Sequence, residues 1–535
     1  MKLTRLQVQN YSRLPDLEIE IRDHLVLVGA NDVGKSSLLR CLDLLLGAST
    51  AQLYSHISPD DFRDRDQPLI VEADITSFNG DDKALFPDEI SIHPTSGEIL
   101  TIRLAAAIDS NETLTVERVA PGGGTGRQLS RDQLLGLGWK FLSATAQTRD
   151  LREDRKSALD DILQAVVLGT EQATFDAITT SLVDNLKSSK VLTGLRTDLA
   201  NQLSRALPER IEKDDLSFVP GSAADNDVLS DVRLQVSKDG APHNLSEQSD
   251  GTRALYAIAL YDLMSVGANM VGIDEPEIHL HPTSQRSLAR LLQANPNQKV
   301  LATHSADIVG AFDPDSIVVV RAGGIVVQPT SGFLSSDEKL SVRWWVRDKL
   351  EPLTARRVVA VEGISDRIVL ERVADLTDRN LDRLGVSIIE TGGAGDMGAV
   401  DKLFGSTGFK IPISMLVDED AEVATADKLG VDVADLNQHS VWVSRLDLED
   451  EYVATLGAAV VWPALQASSL FSPNELANCL PTGPGGTYLD TDIAKFCRRK
   501  KYKVKAAIVI SPLLDNVTAP KVSSANDLLS EIAGV

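Results

Sequence analysis

The segment Gly29-Ala30-Asn31-Asp32-Val33-Gly34-Lys35-Ser36 constrains this 535-residue chain more than any other feature. It fits G-x-x-x-x-G-K-[ST] and lies between a buried-looking apolar run, His24–Val28, and an apolar helical stretch, Ser37–Leu46, stopped by Gly47. Such a loop works only when a strand end and a helix N-terminus hold it, so the chain is expected to be α/β. The glycines let backbone N–H groups close around phosphate oxygens, and the helix N-terminus favours negative charge. On this reading Gly29, Asn31, Gly34 and Ser37 shape a nucleotide cradle, Lys35 reaches the terminal phosphates, and Ser36 ligates Mg²⁺.

Two later strands carry partners for that loop. Met270–Ile273 runs into Asp274-Glu275, where Asp274 would hold Mg²⁺ through water and Glu275 would polarise the attacking water. Lys299–Ala302 runs into Thr303-His304-Ser305, which places His304 to sense the terminal phosphate. A strand-end histidine alone is more often structural; its position one strand after the two carboxylates argues for the functional role. With the continuation His279-Leu280-His281-Pro282, these motifs resemble the ABC-type ATPase head of the RecF/SMC-like and OLD ATPases. Ser249-Asp250-Gly251-Thr252-Arg253 resembles the ABC signature but departs from the usual LSGGQ. In that family the segment caps the ATP of the opposite subunit, which implies a homodimer with Ser249 and Gly251 at the nucleotide. Gln147 is the Q-loop candidate by position.

A second α/β series follows residue 355. Val358–Val361 leads into Glu362-Gly363-Ile364-Ser365-Asp366, and Ile413–Val417 leads into Asp418-Glu419-Asp420. Strand-end carboxylates of this kind can gather hard oxygen ligands around Mg²⁺ or Mn²⁺, although an isolated D-x-D is commonly a solvated loop. The pair E-G-x-x-D and D-x-D resembles the Toprim domain, which implies Glu362, Asp366, Asp418 and Asp420 as metal ligands. Gly392-Gly393-Ala394-Gly395 is either a plain turn or the Toprim glycine loop. Glu449 is either a solvated helix start or, by the OLD resemblance, a second-metal ligand. The basic run 498–505 is either a solvated face or a phosphate-contacting patch. OLD nucleases carry a late lysine near the metals, and Lys503 and Lys505 are equal candidates for it.

The remaining organisation is read from periodicity. Residues 69–76 and 99–108 look like strands of an antiparallel meander, and 150–215 has helical spacing. The expected division is an ATPase N-terminal lobe at 1–150, a helical insertion and candidate dimerisation segment at 151–215, a C-terminal lobe at 216–345, a linker across 330–355, and a Toprim domain at 355–535. An excess of 77 acidic over 53 basic residues argues against a simple basic scaffold coating nucleic acid. Cys41, Cys479 and Cys497 are too scattered for a disulfide framework or a zinc site. With no secretory-type or membrane-spanning apolar run, the expected compartment is the cytoplasm.

The order of these parts resembles the OLD-family ATP-dependent endonucleases, which include nuclease subunits of Gabija-type anti-phage systems. That resemblance implies ATP and Mg²⁺ or Mn²⁺ as cofactors, DNA as substrate, a dimer, and a separate helicase-like partner. The competing reading is an ABC-type DNA-repair clamp with a non-catalytic Toprim domain. A topoisomerase would need a nucleophilic tyrosine in a breakage domain that is not recognisable here, and an RNA-cutting Toprim nuclease would share the metal chemistry.

Overall fold

The computed structural model describes the chain apart from residues 95–96, 110–112, 124–125, 143–180, 183, 208–209, 220–232, 239, 245–248, 250, 253–254, 257, 259–266, 337–338, 340–349, 393–396 and 535. Met1–Val326 forms one compact unit, and the described residues from Val327 onward form a second.

In the first unit, six strands order as Val326–Val327, Ile317–Val320, Leu25–Val28, Gln298–Thr303, Met270–Asp274 and Trp139–Leu142. The pairings from Ile317–Val320 through to Trp139–Leu142 are all parallel. Leu25–Val28, Met270–Asp274 and Gln298–Thr303 are buried along their whole length, which is why Leu25–Val28, Met270–Ile273 and Val300–Ala302 read as apolar runs without alternation. The segments expected at 1–150 and 216–345 thus contribute strands to one sheet.

A second, antiparallel sheet orders Leu17–Glu20, Lys2–Gln9, Leu69–Thr76, Gly97–Ile108 and Ser91–His93, with Leu114–Val119 also on Gly97–Ile108. Here the period is two: Leu100, Ile102, Leu104 and Ala106 are buried and their neighbours are not. The helix Lys35–Leu46 shares one core with both sheets, burying Leu38, Leu39, Leu42 and Leu45. Arg118, 3% exposed, ends that helix by donating to the carbonyls of Leu44, Leu45 and Ala48 at 3.3, 3.2 and 2.7 Å. Those carbonyls have no partner within the helix, and a cation suits the negative end of its dipole. Of the expected helical insertion, 151–180 lies outside the described residues; Lys190–Ala206 is a helix. A further strand runs from Arg233 to Lys238.

The second unit is a parallel sheet ordered Val386–Glu390, Arg357–Val361, Ile413–Asp418, Val441–Ser444. From the Arg357–Val361 strand the chain first adds a strand on one side, then crosses to the other. The C-terminal ends of Arg357–Val361 and Ile413–Asp418 therefore lie side by side at a topological switch point, where α/β sheets form their binding crevice. The described residues of the stretch read as a linker make packing contacts. Thr330 N–H donates to the Thr407 carbonyl at 2.8 Å, Phe333 meets Phe409 edge-on, and Pro352 and Leu353 are buried in the short helix Glu351–Thr354. Among the described residues the two units divide at 326/327.

Beyond Val441–Ser444 the chain is helical. Helices at Leu448–Leu456, Ala458–Ala467, Asp490–Cys497, Lys503–Ile510 and Ser523–Ala533 bury Tyr452, Val461, Ile493, Ala506 and Leu528 in the same core as the strand residues Val359 and Leu416.

Candidate nucleotide site and candidate metal centre

The phosphate loop leaves the central strand Leu25–Val28 and enters the helix Lys35–Leu46. Two of its glycines are dictated by geometry. Gly34 has φ 109, a conformation that L side chains rarely adopt, and a Cβ on Gly29 would sit 2.2 Å from the Val320 carbonyl oxygen. Lys35 is buried, and its Nζ donates to the carbonyls of Gly29 and Ala30 at 2.9 and 2.8 Å. Burial pulls its pKa down, opposed by Glu275, Glu277 and Asp274. Ser36 Oγ donates to Asp274 at 3.0 Å, so the residue after the lysine and the strand-end carboxylate meet as a cation site requires. Burial pushes the Asp274 carboxyl up to about 6, a cost that a bound cation would relieve. Glu275, with φ 46, ties the two strand ends together by donating its N–H to the Ala302 carbonyl at 2.8 Å. His304 Nδ1 is 4.0 Å from Glu275 Oε1.

Asn31 is exposed and Ser37 half-buried. Ser249 is exposed with its hydroxyl 2.9 Å from Thr252. A Cβ on Gly251 would lie 2.5 Å from the His279 carbonyl, so this glycine packs against the turn after Asp274-Glu275 in its own chain. Asp250, Arg253 and Gln147 lie outside the described residues.

At the switch point of the second unit, Glu362, Asp418 and Asp420 each bring a carboxylate oxygen within 4.8 Å of the others. Asp418 N–H donates to Glu362 Oε1 at 3.0 Å, fixing the two strand ends to each other. Lys503 Nζ lies 2.9 Å from Asp418 Oδ2 and 3.3 Å from Glu449 Oε2. Burial lowers the pKa of Lys503, but Glu449 and Asp418 outweigh it and hold the ammonium charged. Asp366 stands outside the triad: it accepts from Gly363 N–H at 2.9 Å and from the Ser365 hydroxyl at 3.2 Å, closing the first turn of the helix Ile364–Leu376.

Glu449 is not a solvated helix start. Its side chain is 1% exposed, and neither oxygen has a hydrogen-bond partner among the described residues. Burial pushes its carboxyl up to about 8 and that of Asp366 to about 6, and raises Glu362 as well. Buried, closely gathered carboxylates are what a divalent cation would neutralise, and all the candidate ligand atoms are hard oxygens suited to Mg²⁺ or Mn²⁺.

Lys505 is not at this cluster. Two positions apart on the helix Lys503–Ile510, the two lysines face different directions, and Lys505 Nζ contacts Glu475 at 3.0 Å. Most of the basic run is likewise engaged: Arg498 holds Asp447 at 2.8 Å and also Asp450, and Lys501 holds Glu475 at 3.2 Å. Arg499 and Lys500 are exposed. Gly392 has φ 76 beyond the Val386–Glu390 strand, and 393–396 lie outside the described residues.

Residues 25–310 match the family described as "AAA domain, putative AbiEii toxin, Type IV TA system". The chain belongs to that AAA-domain family. Residues 353–420 match the "Overcoming lysogenization defect protein-like, TOPRIM domain" family, so an AAA domain is followed by an OLD-like Toprim domain. The chain is similar to the OLD nuclease of Thermus scotoductus, 24% identical over 434 residues that span 73% of this chain and 77% of that one. It is also similar to Endonuclease GajA of Bacillus cereus, 21% identical over 434 residues spanning 74% and 71%. The solved C-terminal region of the Burkholderia pseudomallei OLD protein aligns over 34% of this chain and 98% of its own at 20% identity, with a TM-score of 0.27. Among the described residues no helix is long and apolar enough to cross a membrane.

Two carboxylates of these domains escaped the sequence reading. Glu277 in the AAA domain is buried against His304; its only signal was the second glutamate of Asp274-Glu275-Pro276-Glu277. Asp447 in the Toprim domain accepts from Asp450 N–H at 2.8 Å and pairs with Arg498, setting the helix that carries Glu449. An Asp three residues before the Asp450 N–H is a legible N-cap.

The raised carboxylates of the Toprim domain predict a pH dependence. Their folded pKa values lie above the unfolded ones, so their contribution to stability is present below about pH 4 and is lost as pH rises through about 6 for Asp366 and about 8 for Glu449. The chelated protein should therefore melt lower at pH 8 than at pH 5. Glu449→Gln should flatten that slope and raise the pH 8 midpoint by about 2–4 °C per kcal/mol relieved, and Mn²⁺ should stabilise the wild type more than the variant. Scanning calorimetry in EDTA and in Mn²⁺ measures all three; a variant less stable than wild type in EDTA at pH 8 would show that Glu449 is not under strain.

Proposed function

We propose that this chain is an ATP-hydrolysing, divalent-metal-dependent DNA endonuclease, with the two chemistries in separate domains. The observation that carries the reading is the convergence of Glu362, Asp418 and Asp420 at the Toprim switch point, with Lys503 on Asp418. In the AAA domain Lys35 neutralises the terminal phosphates, Ser36 and Asp274 hold Mg²⁺, Glu275 orients and polarises the attacking water, and His304 contacts the terminal phosphate. Gly29, Asn31, Gly34 and Ser37 line the phosphates, and Ser249 and Gly251 face a nucleotide held by a second copy.

In the Toprim domain Glu362, Asp418 and Asp420 hold Mg²⁺ or Mn²⁺, with Asp366 and Glu449 completing the acidic set. Bound divalent ions supply an activated water and offset the charge that builds on phosphorus. Lys503 adds a fixed positive charge beside Asp418, where a phosphate oxygen would otherwise meet only carboxylates. DNA as substrate, a homodimer formed through the AAA domain, a separate helicase-like partner and a role in anti-phage defence complete the reading. The names of the OLD nuclease and GajA relatives support it.

Supercoiled plasmid incubated with the protein and Mg²⁺ or Mn²⁺ tests the reading, with nicked and then linear product expected. Intact plasmid under both ions, from protein that hydrolyses ATP, would instead favour the DNA-repair clamp. Light scattering with ATP should give a mass twice that of one chain; a monomer both with and without ATP would remove the dimer.

A further inference from the structure

The turn after Met270–Asp274 carries a carboxylate to which the proposed function gives no task. The Glu277 side chain is 3% exposed, and burying a carboxylate costs several kcal/mol unless strong partners offset it. Its contacts converge on one residue. Oε1 accepts the backbone N–H of His304 at 2.6 Å and lies 3.1 Å from His304 Nδ1. Oε2 is buried with no hydrogen-bond partner among the described residues.

The turn that presents Glu277 is tightly held. Leu280 N–H donates to the Glu277 carbonyl at 2.9 Å, Ile278 N–H to the Glu275 carbonyl at 3.2 Å, and His279 has φ 63. Glu275 Oε1 lies 4.0 Å from the same Nδ1, so two glutamates of one turn face one imidazole. Glu277 also contributes, with Glu275 and Asp274, to holding charge on the phosphate-loop lysine Lys35, which places it among the groups of the nucleotide site.

A carboxylate within hydrogen-bond reach of Nδ1 favours the tautomer that carries its proton there and so decides which ring nitrogen is left for a ligand. His304 is 50% exposed, unlike the glutamate beneath it. A glutamine would keep an oxygen for the His304 backbone N–H but would lose the charge that selects Nδ1–H.

We propose that Glu277 is a positioning residue for nucleotide hydrolysis: its carboxylate fixes the ring and tautomer of His304, leaving Nε2 to meet the terminal phosphate. This rests on the ATP-hydrolysing reading above, and it assigns the second glutamate of the turn an action through His304 rather than on water.

The test is steady-state ATP hydrolysis with nucleotide affinity measured separately, in four proteins: wild type, Glu277→Gln, His304→Ala and the double variant. Orienting residues of this kind are worth about 10- to 100-fold, so kcat should fall by that factor in Glu277→Gln. ATP affinity should stay within about threefold, because a group acting only on orientation for the chemical step leaves ground-state binding alone. In the His304→Ala background the same change should alter kcat by less than about twofold, since residues acting through one another are not additive. Glu277→Asp, which keeps the charge, should retain more activity than Glu277→Gln and replaces it should that variant fail to fold. Wild-type turnover in Glu277→Gln, or its full loss repeated in the His304→Ala background, would overturn the proposal. A wild-type protein that hydrolyses no ATP would overturn the nucleotide reading along with it.

Discussion

Asp418→Ala and Glu362→Ala are each expected to lower DNA cleavage by on the order of 10³-fold while leaving ATP hydrolysis within about twofold of wild type. The magnitude follows from the role. A cation that neutralises charge on a pentavalent phosphate contributes several kcal/mol to the transition state alone, and each ~1.4 kcal/mol is a factor of ten. Either variant removes one of three carboxylates gathered within 4.8 Å, and Asp418→Ala also leaves Lys503 with Glu449 as its ion-pair partner among the described residues. The loss should fall on turnover rather than on DNA affinity, which an acidic cluster does not supply. Plasmid nicking and ATP hydrolysis measured on the same preparations check it. Cleavage at the wild-type rate in both variants would end the nuclease reading and leave the repair clamp.

The mirror-image result is expected in the AAA domain. Lys35→Ala should weaken ATP binding by about 10²-fold or more, because a buried, charge-assisted contact to phosphate is lost and nothing else in the loop carries positive charge to that point. The Gly29 and Ala30 carbonyls also lose their donor, so the loop loses a brace as well as a ligand contact. Glu275→Gln should bind ATP normally and lower hydrolysis by about 10²–10⁴-fold, the usual worth of a positioned general base. Titration calorimetry and phosphate release separate the two. Unchanged ATP affinity in Lys35→Ala would contradict the phosphate-loop assignment.

Much of this arrangement was legible because buried parallel strands advertise themselves. Leu25–Val28 and Met415–Val417 are apolar without interruption, and a carboxylate or glycine loop at the end of such a run falls at the sheet edge where ligands bind. What remained hidden depended on direction around a helix. Lys503 and Lys505, or Glu449 and Glu451, are equivalent in a string, yet two positions on a helix point to different sides. Lys503 and Glu449 therefore meet at Asp418, while Glu451 caps Ser524 at 3.0 Å and Lys505 pairs with Glu475. The C-terminal helices were hidden for another reason. They are short, 8–11 residues, and one contains Pro463, so none sustains a long amphipathic period. Glu277 was hidden because burial under a half-exposed histidine is a tertiary fact.

The central claim is that the Toprim carboxylates form a divalent-metal centre. Mn²⁺ binding, followed by the electron paramagnetic resonance signal of the free ion at pH 8, tests it most directly, without DNA or ATP. To keep the phosphate-loop cation site out of the count, the titration compares Asp274→Ala with Asp274→Ala/Asp418→Ala. The account predicts that Mn²⁺ taken up by the first protein is lost or weakened at least about tenfold in the second. Superimposable titrations of the two would contradict it.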